Sequence, residues 1–209
     1  LGKISSRGNE LFGLMVAGAN SLFSEHDPKI KYPQFAFLQR FDVSELGQQH
    51  FEDVLAFANE SCPNLKVLCI INCDSPDLDS DGVLRNIEGL TTGNELGNHL
   101  EKVSLRFCEF GCCGVEKMLR CLSGKLAESN GFCEFFDLSH NLVEVGNVGG
   151  NAVGSLERAF EAFDKGIETK RISMGSSEEE KVIFDLSGDF YLEALERLGE
   201  RLRHVKLIC

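Results

Sequence analysis

The sequence predicts an α/β fold in which short parallel strands alternate with helices and stack as repeated units. Three observations support this prediction. A strand–turn–helix pattern recurs along the chain, each copy spaces its apolar residues similarly, and a Cys or Asn follows several of the strands at a fixed place. One unit of this kind cannot bury its own apolar face, so neighbouring units must stack on it.

The clearest copy is the segment 100–122, LEKVSLRFCEFGCCGVEKMLRCL. Val103 and Leu105 alternate with polar residues, which predicts a strand with one inward face. Cys108 occupies the ninth place of the unit, and the apolar residues after it recur at helical spacing. The segment therefore reads as a strand, a turn and a helix.

Further copies lie on both sides of this one. In order, the copies begin at Leu38, Leu65, Leu100, Cys133, Lys181 and Leu202. Helices are predicted after the first five strands, at residues 51–58, 83–90, 115–122, 156–163 and 192–202. Cys73 and Asn141 take the same ninth place as Cys108.

The copies are unevenly spaced, and the longest interval runs from Cys133 to Lys181. Since an ordinary repeat of this type has about 20–29 residues, the interval predicts either insertions or a degenerate repeat with a short strand at Ile172 and Met174. A doubly wound α/β domain also alternates strands and helices. The recurring Cys/Asn place favours the stacked repeat.

The first part of the chain differs from the rest. Residues 1–37 are predicted to form a capping helix, within 9–23, and a connection; residues 38–209 form the repeat domain. The chain begins with Leu1 rather than Met, which suits a piece of a longer protein.

With its pattern L-x-x-L-x-L-x-x-N/C-x-L, the chain resembles the leucine-rich repeat superfamily, and most closely its ribonuclease-inhibitor-like subclass. The resemblance covers residues 38–209 and implies a solenoid, or horseshoe, of about five to six irregular repeats. Its parallel strands would line the concave face and its helices the convex face. It also implies a non-catalytic protein–protein interaction module, without a cofactor, in a larger assembly. The partner would bind the concave face or an exposed terminal repeat. The family includes ribonuclease inhibitors and activators of small GTPases, so a regulator of an enzyme is the alternative.

Composition limits the partners and the compartment. A net charge of −12 and a pI near 4.9 argue against nucleic acid and anionic membranes as main partners, and suit a basic protein. Nine cysteines without a signal peptide predict the reducing cytoplasm.

The register predicts which strand residues face outward. Because neighbouring parallel strands lie about 4.8 Å apart, these residues form one contiguous surface. The exposed positions include Cys69, Ser139 and Lys206. The predicted protein-binding residues are Asp42, Glu45, Asn72, Ser104, Arg106, Phe107, Phe135, Asp137, His140 and Asp185.

Three patterns suggest other chemistry. Asp77, Asp79, Asp81 and Glu88 match the calcium loop of an EF-hand, but a strand precedes the loop where an EF-hand has a helix. The strand-to-helix turn of a repeat explains the same residues. The cysteines around Cys108 lack paired zinc-ligand spacing. His140 near Asp137 and Ser139 suggests catalysis, yet no known nucleophile motif accompanies it, so we predict a non-enzymatic protein.

Overall fold

The computed structural model of the chain describes residues 2–7, 35–74, 81–93, 100–126, 129, 131–141, 150–175, 181–188 and 192–209. The strands in these ranges are β1 (Gly2–Arg7), β2 (Leu38–Ser44), β3 (Val67–Ile71), β4 (Lys102–Arg106), β5 (Phe135–Asp137), β6 (Val182–Asp185) and β7 (Val205–Ile208). The helices are α1 (Gln48–Ser61), α2 (Asp81–Thr92), α3 (Gly111–Lys125), α4 (Gly150–Met174) and α5 (Leu192–Arg201). Among the helices described, none has the length and apolar character to cross a membrane.

The strands form one parallel sheet whose spatial order is the order of the sequence, β1 to β7. The predicted α/β class with parallel strands is confirmed. A doubly wound sheet reverses its strand order at a switch point. The described strands do not reverse their order, so they have no crevice of that kind.

Two aromatic clusters show that helices cover one face of the sheet. The ring of Phe41 in β2 contacts Phe57 of α1 at 5.5 Å between ring centroids. At the other end, the ring of Phe184 in β6 lies 5.2 Å from Phe160 of α4. Phe41 and Phe184 occupy equivalent places in the strand register, so α1 and α4 lie on the same side. Consecutive helices contact one another between these two ends.

The ninth-place residues connect neighbouring units within the core. The side chain of Asn141 accepts a hydrogen bond from the Cys108 backbone N–H at 2.8 Å, and donates to the carbonyls of Leu138 and Leu105. The Cys108 thiol donates to the carbonyls of Arg106 at 3.3 Å and Ile70 at 3.7 Å. A buried polar side chain at this place thus satisfies backbone groups of two adjacent units.

Most predicted helices are confirmed, and α1, α2, α3 and α5 lie where the apolar spacing places them. The predicted strand at Ile172 and Met174 is wrong, because both residues belong to α4. At 25 residues, α4 is the longest described helix and accounts for much of the long interval without a hidden repeat.

The strand pairing corrects the register of the last copy. Phe184 lies opposite Leu207, whereas the sequence pattern places Val205 there. Lys206 consequently faces Ile183 and not Asp185. A slip of two residues leaves every side chain on its own face, so the apolar pattern does not detect it.

The beginning of the chain contains a strand that the sequence pattern does not predict. β1 pairs in parallel with β2 and extends the sheet by one strand. The predicted helix at 9–23 lies outside the described residues.

Candidate functional site

A row of residues with left-handed backbone conformation marks the place where the strands end. We call Glu45, Asn72, Phe107, His140 and Gly188 the left-handed row; their φ angles are 58°, 59°, 53°, 60° and 79°. Each of the first four donates its backbone N–H to a carbonyl of the next unit, as in the 2.9 Å bond from Asn72 to Arg106. The conformation therefore belongs to the repeated unit rather than to any one side chain.

Two aromatic rings stack in the middle of this row. The Phe107 ring and the His140 imidazole lie 4.3 Å apart with an interplanar angle of 4°. Phe107 is 42% exposed although it is large and apolar. Gly188 of the next unit lies close to the imidazole, and a Cβ added there would be 2.1 Å from His140 Cε1. The glycine thus leaves the space that the stacked ring occupies.

Beside the stack, four side chains form what we call the Asp137 network: Ser104, Arg106, Asp137 and Ser139. The hydroxyls of Ser104 and Ser139 donate to the two oxygens of the Asp137 carboxylate at 2.9 and 2.8 Å. Arg106 Nε donates to Ser139 Oγ at 3.1 Å and lies 3.8 Å from Asp137 Oδ2. The network fixes the guanidinium of Arg106 next to the aromatic stack, with its Cζ 5.7 Å from the Phe107 ring centroid.

The structure brings six of the predicted binding residues together around β4 and β5: Ser104, Arg106, Phe107, Phe135, Asp137 and His140. The other four lie toward the sides. Asp42, Glu45 and Asn72 belong to the β2 and β3 units, and Asp185 ends β6, where it accepts the Ser187 N–H at 3.0 Å.

The predicted exposure is wrong for several strand residues. Ser104 and Asp137 are 2% and 8% exposed, and Cys69 and Ser139 are also buried. The close spacing of parallel strands lets these short side chains cover and hydrogen-bond one another. Ser104 and Asp137 therefore position Arg106 and offer little surface of their own.

Lys102 and Arg40 also lie on this face, although neither is among the predicted binding residues. Lys102 Nζ lies 4.3 Å from the centroid of the Phe135 ring, and Arg40 Nε donates to Asp42 at 2.9 Å. That hydrogen bond raises the pKa of Arg40. The alternation of inward and outward strand residues that predicts an outward Phe135 also predicts that Lys102 and Arg40 face outward. All three residues lie at the same position of the strand register.

The residues that suggested catalysis are not arranged for it. The His140 imidazole stacks on Phe107, while the hydroxyls of Ser104 and Ser139 both bond to Asp137. A serine nucleophile needs a base placed to take its proton and a third group that orients the base. The contacts of the described residues do not join a serine, a base and an orienting group in this way.

The structure bears on both metal hypotheses, calcium at Asp81 and Glu88 and zinc at the cysteines around Cys108. Asp81 and Gly82 begin α2, and Glu88 lies inside this helix, so the described half of the calcium pattern lacks the sharp turn that an EF-hand makes at its glycine. Asp77 and Asp79 lie outside the described residues. Within the described ranges, no group of three or more potential ligands is arranged around a metal position.

Two thiols on and under this face, Cys69 and Cys108, are not activated, whereas the hydrogen bond with Cys108 lowers the pKa of the Cys73 thiol. Burial, with a smaller contribution from Asp42, raises the pKa of Cys69 to about 11. The neighbouring Cys73 thiol and burial together raise the pKa of Cys108. Since the thiolate is the nucleophile and the metal-binding form, Cys69 and Cys108 serve packing and hydrogen bonding.

No model of a protein family matches the chain, and no curated protein sequence matches it. The function of the chain is therefore inferred from the geometry of the residues described above.

Proposed function

We propose that the chain is a non-catalytic protein-interaction module with the architecture of a leucine-rich-repeat solenoid. Four features support this architecture: sequential parallel strands, helices on one face, the ninth-place hydrogen bonds and the left-handed row. In such a solenoid the open face of the sheet is concave, and it carries the binding surface.

The observation that carries the proposal is the exposed stack of Phe107 and His140 beside Arg106. Aromatic residues and arginine dominate the binding energy of protein interfaces. A parallel sheet usually has both faces covered, yet here Phe107 remains accessible at the end of a central strand. A protein partner that covered the ring would remove this apolar area from water.

Two matched variants test this function. Phe107→Ala removes the stacked ring, and Phe37→Ala removes a ring that is 89% exposed in the turn before β2. Each variant and the parent protein are used to capture proteins from an extract of the source cells, and the captured proteins are quantified by mass spectrometry.

We expect at least one captured protein to bind the parent and Phe37→Ala equally and Phe107→Ala roughly 10-fold less. A roughly 10-fold loss of affinity is the effect of removing one hot-spot residue. Both variants must keep the thermal unfolding midpoint of the parent to within a few degrees. Equal capture by all three forms would refute a binding site at the stack.

A regulator of an enzyme falls within this proposed function, since an inhibitor or a GTPase activator on this architecture also acts by binding a protein. We further propose that the module works within a larger assembly in the cytoplasm. The nine cysteines support a reducing compartment, because the described structure joins none of them in a disulfide and most of them are buried.

A further inference from the structure

Two basic side chains on the open face of β4 differ from the other basic groups near them. Arg40 is paired with Asp42 at 2.9 Å, and Lys66 is paired with Glu101. Lys102 instead lies over the Phe135 ring. Among the described residues, Arg106 has only its Nε engaged, by Ser139 at 3.1 Å and more distantly by Asp137.

The guanidinium of Arg106 is held in place but incompletely satisfied. Its side chain is 39% exposed, and within the described ranges its two terminal nitrogens have no hydrogen-bond acceptor. Asp137 forms an ion pair with the guanidinium on the Nε side, with Oδ2 3.8 Å from Nε, and its two oxygens also accept the serine hydroxyls. The planar fork of an arginine binds a carboxylate through two parallel hydrogen bonds, and a fixed fork loses less entropy when it does so.

An apolar surface lies directly beside this fork. The Phe107 ring centroid is 5.7 Å from Arg106 Cζ, and the ring is backed by the His140 imidazole. A ligand group that bonded to the guanidinium would therefore place its neighbouring side chain against Phe107. The second cation, Lys102, lies four residues earlier on the same strand and face, a distance of about 13 Å in an extended chain.

From this arrangement we infer that the site takes an acidic, extended segment of a protein partner, with a carboxylate on Arg106, an apolar side chain on Phe107 and a second acidic group toward Lys102. The inference rests on the proposed interaction function and adds the chemistry of the partner. The net charge of −12 favours basic partners over the surface as a whole. However, charges beyond a Debye length of about 8 Å are largely screened, so the groups at the site decide its preference.

A selection with an unbiased peptide library tests the chemistry. Random 12-residue peptides displayed on phage are selected on the immobilised parent protein, on Arg106→Gln and on the control Lys66→Gln. Lys66→Gln removes an equal charge from an exposed lysine that already has a carboxylate partner. Enriched peptides are then synthesised, and their affinities are measured by fluorescence anisotropy at two salt concentrations.

We expect the parent and Lys66→Gln to enrich peptides with Asp or Glu next to a large apolar residue. Arg106→Gln should weaken their binding roughly 10- to 100-fold, the range for a lost hydrogen bond to a charged group. Lys102→Gln should weaken it less and reduce its salt dependence. These three results together would support the inference.

Two results would overturn it. Enrichment of basic peptides whose binding does not change in Arg106→Gln would refute the acidic ligand and leave the proposed interaction function intact. Absence of enrichment over a blank support would refute recognition of an extended segment, whereas the capture experiment with Phe107→Ala tests the interaction function by itself. Unfolding curves of each variant, matched to the parent, exclude a loss of fold as the cause.

Discussion

Replacement of Asn141 by Ala should destabilise the fold strongly, although the substitution removes only a few atoms. Asn141 is 1% exposed, and its amide bonds to the Cys108 N–H and to the carbonyls of Leu105 and Leu138. A buried backbone group that loses its partner costs about 1–3 kcal/mol. If the Cys108 N–H and one carbonyl stay unsatisfied, the free energy of unfolding falls by roughly 2–6 kcal/mol.

Equilibrium unfolding in urea measures this loss, with the slope m checked to be unchanged. The chain offers its own control, because Cys73 and Cys108 fill the same place in neighbouring units. Asn141→Cys should recover part of the loss, since a thiol donates to the carbonyls but accepts weakly from the Cys108 N–H. A loss below about 1 kcal/mol for Asn141→Ala, or equal losses for both variants, would refute the assigned role of the amide.

Three further predictions concern the site and the end of the sheet. Gly188→Ala and its control Gly175→Ala both place an alanine at positive φ, which costs about 1–2 kcal/mol. Only Gly188→Ala should also displace His140 and so change the Phe107 ring resonances in NMR spectra. Phe107 resonances that are the same in both variants would argue against the close contact between Gly188 and His140. Asp164 accepts three backbone N–H groups just before and within β7, so Asp164→Ala should speed amide hydrogen exchange in β7 more than in β3; uniform protection would contradict this. Burial raises the pKa of the Cys133 thiol to about 12, so stability should fall as the pH rises from about 9 toward 12, because only the unfolded thiol ionises. Urea unfolding across this pH range should show a shallower fall for Cys133→Ala, by up to about 1.4 kcal/mol per pH unit, and an identical fall would exclude the thiol as the cause.

The repeated spacing predicted the parts of the fold that depend on local periodicity. The strands around Val103 and Leu105 and the helix after them follow from alternating and helical spacing within one segment. The ninth place of Asn141 was likewise visible, because Cys108 follows its own strand at the same distance. The row containing Phe107 and His140 follows from the same register.

Features that depend on neighbouring units could not be predicted in this way. The sequence pattern predicts Ser104 and Asp137 as exposed polar residues. They are buried because they lie on adjacent strands, where the Ser104 hydroxyl donates to the Asp137 carboxylate. Ile172 and Met174 alternate like strand residues, yet they are exposed side chains at the end of a helix that packs through other residues. The register of β7 requires its pairing with β6, since a shift of two residues preserves both faces.

The left-handed row has a consequence for how such a surface diversifies. The same backbone conformation carries Glu, Asn, Phe, His and Gly in five successive units. The main chain at this place makes its hydrogen bonds through N–H groups, so it does not depend on the side chain attached. At the four places that carry a side chain, an exchange should therefore cost at most about 1–2 kcal/mol, the scale of the left-handed preference. Gly188 is the exception, because a Cβ there would displace His140. At the other four places, the ligand preference of the surface can change while the backbone stays the same.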